Sequence, residues 1–439
     1  MKSYKIFSKC LIISSIVTFS FLTGCSFHDV VKEKTADEIA IAIKKGADVN
    51  ELSGDGETPL TAAIRFNSDP LAVAELLIDA GADVNISDGM SFSPLHYAAV
   101  HINPSTALKL TDMLLKKGAS VNAINMNGAT PLFNACSSRR HIDVVKLLLD
   151  MGSDVKKKDV RGETPLHTAA FYSDNGAMID LLISKGADVN SGSPENTPLH
   201  RAAYSGAAEN ISLLILHGAK VNIRGNLSGS KTPFELAVDN KHFKAARILA
   251  ENGADINSEA YYYFQPFRYR NYRQTYTEKL VKMDASQIRF EKMTPLHRTI
   301  THNDLDFVKY LVDKGAGLKT DSHFGGYPLD FSIYLGYYDI SEFLVSRKAP
   351  SLYAEIYLRD AVENNDFRKA ELLLRAGADV NEVHDTFRDT VLHIAAQKGN
   401  IDIIKLLIRQ GADRSIKNRD GKTASDLATS SESKTLLDY

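Results

Sequence analysis

The chain has 439 residues, enough for two or three globular domains or for one long array of repeats. Hydrophobic residues make up 44% and charged residues 24%, which is typical of folded protein and excludes a disordered composition. The formal net charge is −2, so nucleic acid is not expected as a partner, because phosphate binding requires clustered positive charge.

Residues 1–24 have the pattern of a secretory signal peptide. A basic segment is followed by an uncharged run over 10–22, which is shorter than the roughly 20 residues that a spanning helix needs. The run ends in Leu-Thr-Gly-Cys at 22–25, which resembles the bacterial lipobox. That resemblance implies cleavage before Cys25 and lipidation of its thiol. An uncleaved anchor or a plain secretory signal is the alternative.

The location expected from this leader is the bacterial cell envelope, with the chain held to the membrane by its N-terminal lipid and facing the periplasm or the cell surface. Ser26, rather than an aspartate, follows the cysteine, which favours the outer membrane.

Two short motifs recur through the rest of the chain, most of them 33–37 residues apart. One is Gly-Ala-Asp-Val-Asn or a variant of it. The other is Thr-Pro-Leu-His or a variant, and it begins at Thr58, Ser93, Thr130, Thr164, Thr197, Thr232, Thr294, Tyr327, Thr390 and Thr423.

Each motif position has a physical role. Thr accepts a backbone hydrogen bond at the start of a first helix, and Pro follows where its missing N–H has no cost. Leucine triplets such as 147–149 form the buried inner face of a second helix, and Gly ends that helix in a left-handed conformation. Asp-Gly pairs such as Asp55-Gly56 suit a tight hairpin turn, or finger.

The period and the Thr-Pro-Leu-His motif resemble those of the ankyrin repeat family. The resemblance implies an all-α repeat solenoid of about 12 helix–helix–hairpin units, including the caps. It also implies binding of proteins through the fingertips and the first helices, with no common catalytic site. The expected segments are 25–50 (lipidation site and N-terminal cap repeat), 51–257 (repeats), 258–292 (an inserted finger), 293–345 (repeats) and 346–439 (a degenerate repeat, the final repeats and a C-terminal cap).

The insert at 258–292 is rich in tyrosine and arginine, which are enriched in binding hot spots. We expect it to contact a partner; packing against the array as a lid is the main alternative, and contact with membrane or nucleic acid a lesser one. The candidate binding residues are Tyr261, Tyr262, Tyr263, Phe264, Phe267, Arg268, Tyr269, Arg270, Tyr272, Arg273 and Tyr276.

A second departure from the repeat lies at 346–362. Ile356 stands where the motif has its Thr, and the finger before it is nearly absent. The sequence predicts a weakened interface there, with a hinge and a semi-separate block over 356–439.

No catalytic, metal-binding or cofactor-binding site is expected. Five histidines occupy the fourth motif position, where hydrogen bonding within and between repeats is the expected role, and they are His96, His167, His200, His297 and His393. Cys136 is expected to be a buried filler rather than a nucleophile.

The function that fits these features is a monomeric protein-binding lipoprotein with an unidentified protein partner. Envelope scaffolds, stress-protection factors and immunity lipoproteins are all compatible with it. A secreted or host-directed effector and an envelope enzyme that uses the insert are the alternatives.

Overall fold

The computed structural model describes residues 26–172, 176–226, 229–262, 291–322, 326–383 and 387–438. The expected leader and Cys25 lie outside the described residues, as do the candidate binding residues from Tyr263 to Tyr276. The described chain forms two compact units.

The first unit comprises residues up to 165 together with 184–187. It contains a 3₁₀ turn at Arg139–His141 and the helices α1 (Phe27–Glu33), α2 (Ala36–Lys44), α3 (Pro59–Phe66), α4 (Pro70–Asp79), α5 (Pro94–Ala98), α6 (Pro104–Lys116), α7 (Pro131–Cys136) and α8 (Ile142–Asp150).

The second unit comprises residues 166–183 and those from 188 onward. It contains a 3₁₀ turn at Ser425–Leu427, the strands β1 (Ala260–Tyr262) and β2 (Glu291–Met293), and fifteen helices. These are α9 (Pro165–Phe171), α10 (Gly176–Ser184), α11 (Pro198–Ser205), α12 (Ala208–Leu216), α13 (Pro233–Asp239), α14 (Phe243–Glu251), α15 (Pro295–Thr301), α16 (Leu305–Asp313), α17 (Pro328–Tyr334), α18 (Tyr338–Ser346), α19 (Ala354–Glu363), α20 (Phe367–Arg375), α21 (Val391–Lys398), α22 (Ile401–Arg409) and α23 (Ser431–Asp438).

Consecutive helices pair into repeats. Eleven α-helix pairs, and a last pair of the 3₁₀ turn with α23, make twelve units within the described ranges. The all-α repeat solenoid expected from the sequence is therefore confirmed. No helix of these ranges combines the length and apolar character needed to cross a bilayer.

The repeat at α3 and α4 shows how the motif folds. The Thr58 hydroxyl accepts a hydrogen bond of 3.2 Å from the backbone N–H of Thr61, and Pro59 occupies the first helical turn. Leu60 and Leu77 are fully buried between the helices. Gly81 ends α4 with φ of +96°, a conformation that L side chains rarely adopt.

In the repeats that have it, the asparagine of Gly-Ala-Asp-Val-Asn forms a bridge to the next repeat. The Asn50 side-chain amide donates to the carbonyl of Gly81 at 3.1 Å, and its Oδ1 accepts from the N–H of Asp83 at 2.8 Å. The preceding Asp48 forms the turn, because its Oδ1 accepts from the N–H of Asn50. The same two bonds recur in the first unit at Asn85 and Asn122, and in the second unit at Asn190, Asn222, Asn257 and Asn381.

The junction at 346–353 differs from the weakened interface that the sequence predicts. Helix α19 begins at Ala354, and the Asp330 carboxylate of α17 accepts hydrogen bonds from the Ser351 hydroxyl and from the N–H groups of Leu352 and Tyr353. Side-chain contacts thus replace the missing finger, and residues on both sides belong to one compact unit.

Candidate partner-binding surfaces

The base of the inserted finger is a two-stranded antiparallel ribbon in the second unit. Ala260 pairs with Met293, Tyr261 with Lys292 and Tyr262 with Glu291. Two of the candidate binding residues, Tyr261 and Tyr262, therefore lie on strand β1 at the base of the insert.

A buried ion pair holds this base. The Glu235 carboxylate on α13 is fully buried, and it is bonded to the Arg224 guanidinium and to the Ser258 hydroxyl, the latter at 2.6 Å. Arg224 also donates to the carbonyl of Glu259 at 2.6 Å. A buried carboxylate requires such partners, because desolvation of an unpaired charge costs several kcal/mol. The sequence reasoning missed this cluster, because Arg224 and Ser258 lie 11 and 23 residues from Glu235 along the chain.

The repeats on the two sides of the insert pack against each other as regular neighbours. Helix α13 packs on α15, and the Arg298 Nε donates to Asp239 Oδ1 at 2.6 Å. The Asn257 side chain still bridges to the carbonyl of Gly315, at 3.3 Å. The insert is therefore an addition to an intact array and not a substitute for a repeat.

The exposed side of the first helices carries a second cluster with binding character. The Phe171 and Tyr204 rings stack with their centroids 6.4 Å apart, and the Arg201 guanidinium lies 4.8 Å from the Phe171 centroid. Tyr172 and Tyr204 are exposed. Aromatic and arginine side chains of this kind are enriched in interface hot spots. The sequence contains this signal, because most other repeats have a non-aromatic residue at the position of Phe171 and Tyr204, with Tyr334 as the exception.

The motif histidines have the structural role that the sequence predicts. The Nδ1 of His200 accepts from the N–H of Thr197 at 3.2 Å, so its Nε2 carries the proton and donates to the carbonyl of Lys231 in the next repeat at 3.1 Å. His96 and His393 make the same bonds, to Ser93 and Ala129 and to Thr390 and Lys422. Burial lowers the pKa of His200 and of His297 to about 4, which keeps both imidazoles neutral at pH 7.

Cys136 is fully buried, as the sequence predicts, and burial raises the pKa of its thiol. The described ranges contain no group of three or more His, Cys, Asp or Glu side chains that could hold a metal ion.

Capped helix pairs, bridging asparagines and bridging histidines define a helical repeat protein. A family profile of ankyrin repeats in three copies matches residues 27–125, 107–193, 190–260 and 358–439, and a profile of the single ankyrin repeat matches 291–321. These matches cover well over half of the chain, which therefore belongs to the ankyrin repeat family. The stretches that they leave out contain residues 261–290 of the insert and the junction at 346–353.

Curated relatives match this chain over short stretches. The chain is 38% identical over 118 residues to an ankyrin repeat protein of fowlpox virus, covering 26% of this chain and 33% of the relative. It is 25% identical over 202 residues to an ankyrin repeat protein of variola virus, covering 44% and 35%. It is 28% identical over 147 residues to alpha-latrotoxin-Lg1a of Latrodectus geometricus, covering 34% and 9%. The chain thus spans about a third or less of the length of these relatives.

Proposed function

We propose that this chain is a lipid-anchored protein of a bacterial envelope that binds a protein partner through its ankyrin repeats, with the inserted finger as the main contact. The observation that carries the proposal is the base of the insert, where a paired ribbon and a buried ion pair hold an added segment on an intact array. A loop on a fixed base loses less conformational freedom on binding than a free one. Scaffold, stress-protection and immunity roles are all compatible with this arrangement.

The start of the first helix supports the anchor. Ser26 caps α1 by a reciprocal pair of bonds with Asp29, in which the Ser26 N–H donates to Asp29 Oδ2 at 3.2 Å. The array thus begins one residue after Cys25, and a lipid on Cys25 would hold the first unit directly at the membrane. Metabolic labelling with a palmitate analogue tests this step, with Cys25→Ser as the control. Absence of label on the wild-type chain would contradict the anchor and leave the secreted form as the alternative.

The ribbon offers a clean deletion of the insert. Because Tyr262 and Glu291 are directly paired, replacing 263–290 by Asn-Gly should close a two-residue hairpin and leave β1 and β2 in register. The wild-type chain and this variant are each crosslinked in intact envelopes and purified. We expect the wild type to capture a partner that the variant does not.

Thermal unfolding of both proteins distinguishes the alternatives. If the variant loses the partner and its midpoint of thermal unfolding is unchanged, the insert has a contact role. If the variant retains the partner but its midpoint of thermal unfolding is lower, the insert is a lid that packs on the array. Retention of every partner at unchanged midpoint would exclude both roles.

A further inference from the structure

The fingers of the first unit are joined at their tips. The N–H of Gly89 donates to the carbonyl of Asp55 at 3.0 Å, that of Met126 to Met90 at 3.1 Å, and that of Val160 to Asn127 at 2.9 Å. At the first of these contacts, a Cβ on Gly56 would lie 2.9 Å from the nitrogen of Gly89, so the glycine permits the close approach. Four consecutive fingers therefore present one continuous edge.

Three of these tips carry apolar side chains that face solvent. Met90 is 55% exposed, Met126 61% and Val160 71%. Lys156, Lys157 and Lys158 precede the last tip, and two of them are exposed. We call these six residues the fingertip row.

The charge on this row is positive. Within the last finger, Arg161 pairs with Asp159 and Glu163, at 3.3 and 3.2 Å, and the three lysines leave residues 156–163 with a net charge of +2. The first finger carries the acidic residues Glu51 and Asp55 and lies outside the row.

The start of the array lies on the same edge. The His28 Nε2 of α1 is 2.6 Å from the carbonyl of Glu57, the last residue of the first finger, and Glu57 directly precedes the cap of α3. Helix α1 packs on α3 with its start beside that finger. The chain before Ser26 therefore joins the first unit at its finger edge.

We propose that the fingertip row docks on an anionic lipid surface, an inference that rests on the lipid anchor at Cys25 proposed above. A lipid at Cys25 would bring the finger edge to the bilayer. Unbranched or small apolar tips can enter the boundary between headgroups and acyl chains, while lysines contact anionic headgroups.

The composition of the row favours lipid over protein as its occupant. Lysine is depleted in protein interfaces, and the row has no Tyr or Trp, the aromatic types on which interface hot spots depend. Clustered lysines are instead the pattern that recognises anionic lipid, each adding about fivefold to surface affinity at moderate ionic strength.

The chain contains no tryptophan, so one introduced residue reports its own surroundings. We would place it by Met126→Trp in the row and by Ile102→Trp as the matched control, since Ile102 is 87% exposed in the loop between α5 and α6 of the same unit. Both full-length lipidated proteins are reconstituted in vesicles of phosphatidylethanolamine and phosphatidylglycerol with brominated acyl chains, which quench tryptophan at the acyl boundary.

We expect strong quenching and a blue shift for Met126→Trp and neither for Ile102→Trp. The lysines are then removed from the Met126→Trp protein by Lys156→Gln, Lys157→Gln and Lys158→Gln. This change should lower the fraction of molecules whose tryptophan is quenched about tenfold or more, and high salt should do the same. Vesicles of phosphatidylcholine should give the same loss.

Four outcomes overturn the proposal. Equal quenching of the two positions shows non-specific contact, and absence of quenching on vesicles that the protein still floats with shows an anchor without docking. Quenching that survives loss of the lysines excludes recognition of anionic lipid. Absence of flotation together with absence of palmitate label shows that the anchor itself has failed.

Discussion

The Ser258 hydroxyl donates a hydrogen bond of 2.6 Å to the buried Glu235 carboxylate, so the inserted finger begins on a group that belongs to the preceding repeat. The same carboxylate accepts from the N–H of Thr232 at 2.8 Å and pairs with Arg224. One side chain therefore caps α13, neutralises a cation and holds the first residue of the insert.

Glu235→His should loosen the insert while the array stays folded. Histidine at this position can still accept from Thr232, as at other repeats, but it cannot pair with Arg224. We expect the β1 and β2 amides to exchange hydrogen roughly tenfold faster or more, because breaking the pair leaves a partly buried cation. Hydrogen exchange with mass spectrometry measures this. Glu235→Gln, which retains the acceptor oxygen, should give a smaller effect, and equal rates in all three proteins would show that the ion pair does not hold the ribbon.

Asn85→Ala should destabilise the first unit by about 1 kcal/mol, since two exposed cross-repeat bonds are lost and their partners become accessible to water. The midpoint of urea unfolding by circular dichroism measures the change. Lys319→Ala is the matched control, because Lys319 is exposed and occupies the same motif position without the asparagine. An equal shift in the control would mean that the bridge contributes nothing specific.

The repeat sequence predicts most of the fold, because a period of about 33 residues with a cap, a proline and a terminal glycine specifies each helix pair locally. The two irregular sites could not be placed in this way. Their contacts depend on Glu235 and Asp330, whose partners lie 11 to 23 residues away and come together only in the folded chain.

One sequence signal could nevertheless have pointed to both sites. Glu235 and Asp330 replace the motif histidine with an acid, and in each case the next finger is abnormal. A neutral histidine donates to the carbonyl of a regular finger, whereas a carboxylate accepts from the N–H and hydroxyl groups of a reshaped one. The residue types in the insert indicate binding, but the position of their side chains depends on contacts that the repeat pattern does not encode.

The chain should lose stability as the pH falls from about 6.5 to 4. Burial lowers the pKa of His200 and of His297 to about 4 in the folded state, against about 6.5 when unfolded, so protons bind preferentially to the unfolded chain below pH 6.5. Each histidine should reduce the free energy of unfolding by about 3 kcal/mol near pH 4. Urea unfolding across this range tests the sign and the size. His200→Gln should be less stable at pH 7 and show a shallower pH dependence, whereas an unchanged slope would show that folding does not lower the pKa of His200.

The junction at 346–353 gives the sharpest test of structure against sequence. The sequence predicts a hinge there, whereas in the structure Asp330 accepts three hydrogen bonds from residues 351–353 and one from the N–H of Tyr327. Limited proteolysis should therefore not favour this segment in the wild-type chain. Asp330→His restores the usual motif residue but removes the acceptors, so cleavage within 346–353 should rise roughly tenfold, as expected for the loss of 1–2 kcal/mol of local stability. Asp330→Asn keeps one acceptor oxygen and should fall between the two. Preferred cleavage at 346–353 in the wild type would restore the hinge, and equal cleavage in all three proteins would show that Asp330 does not close the junction.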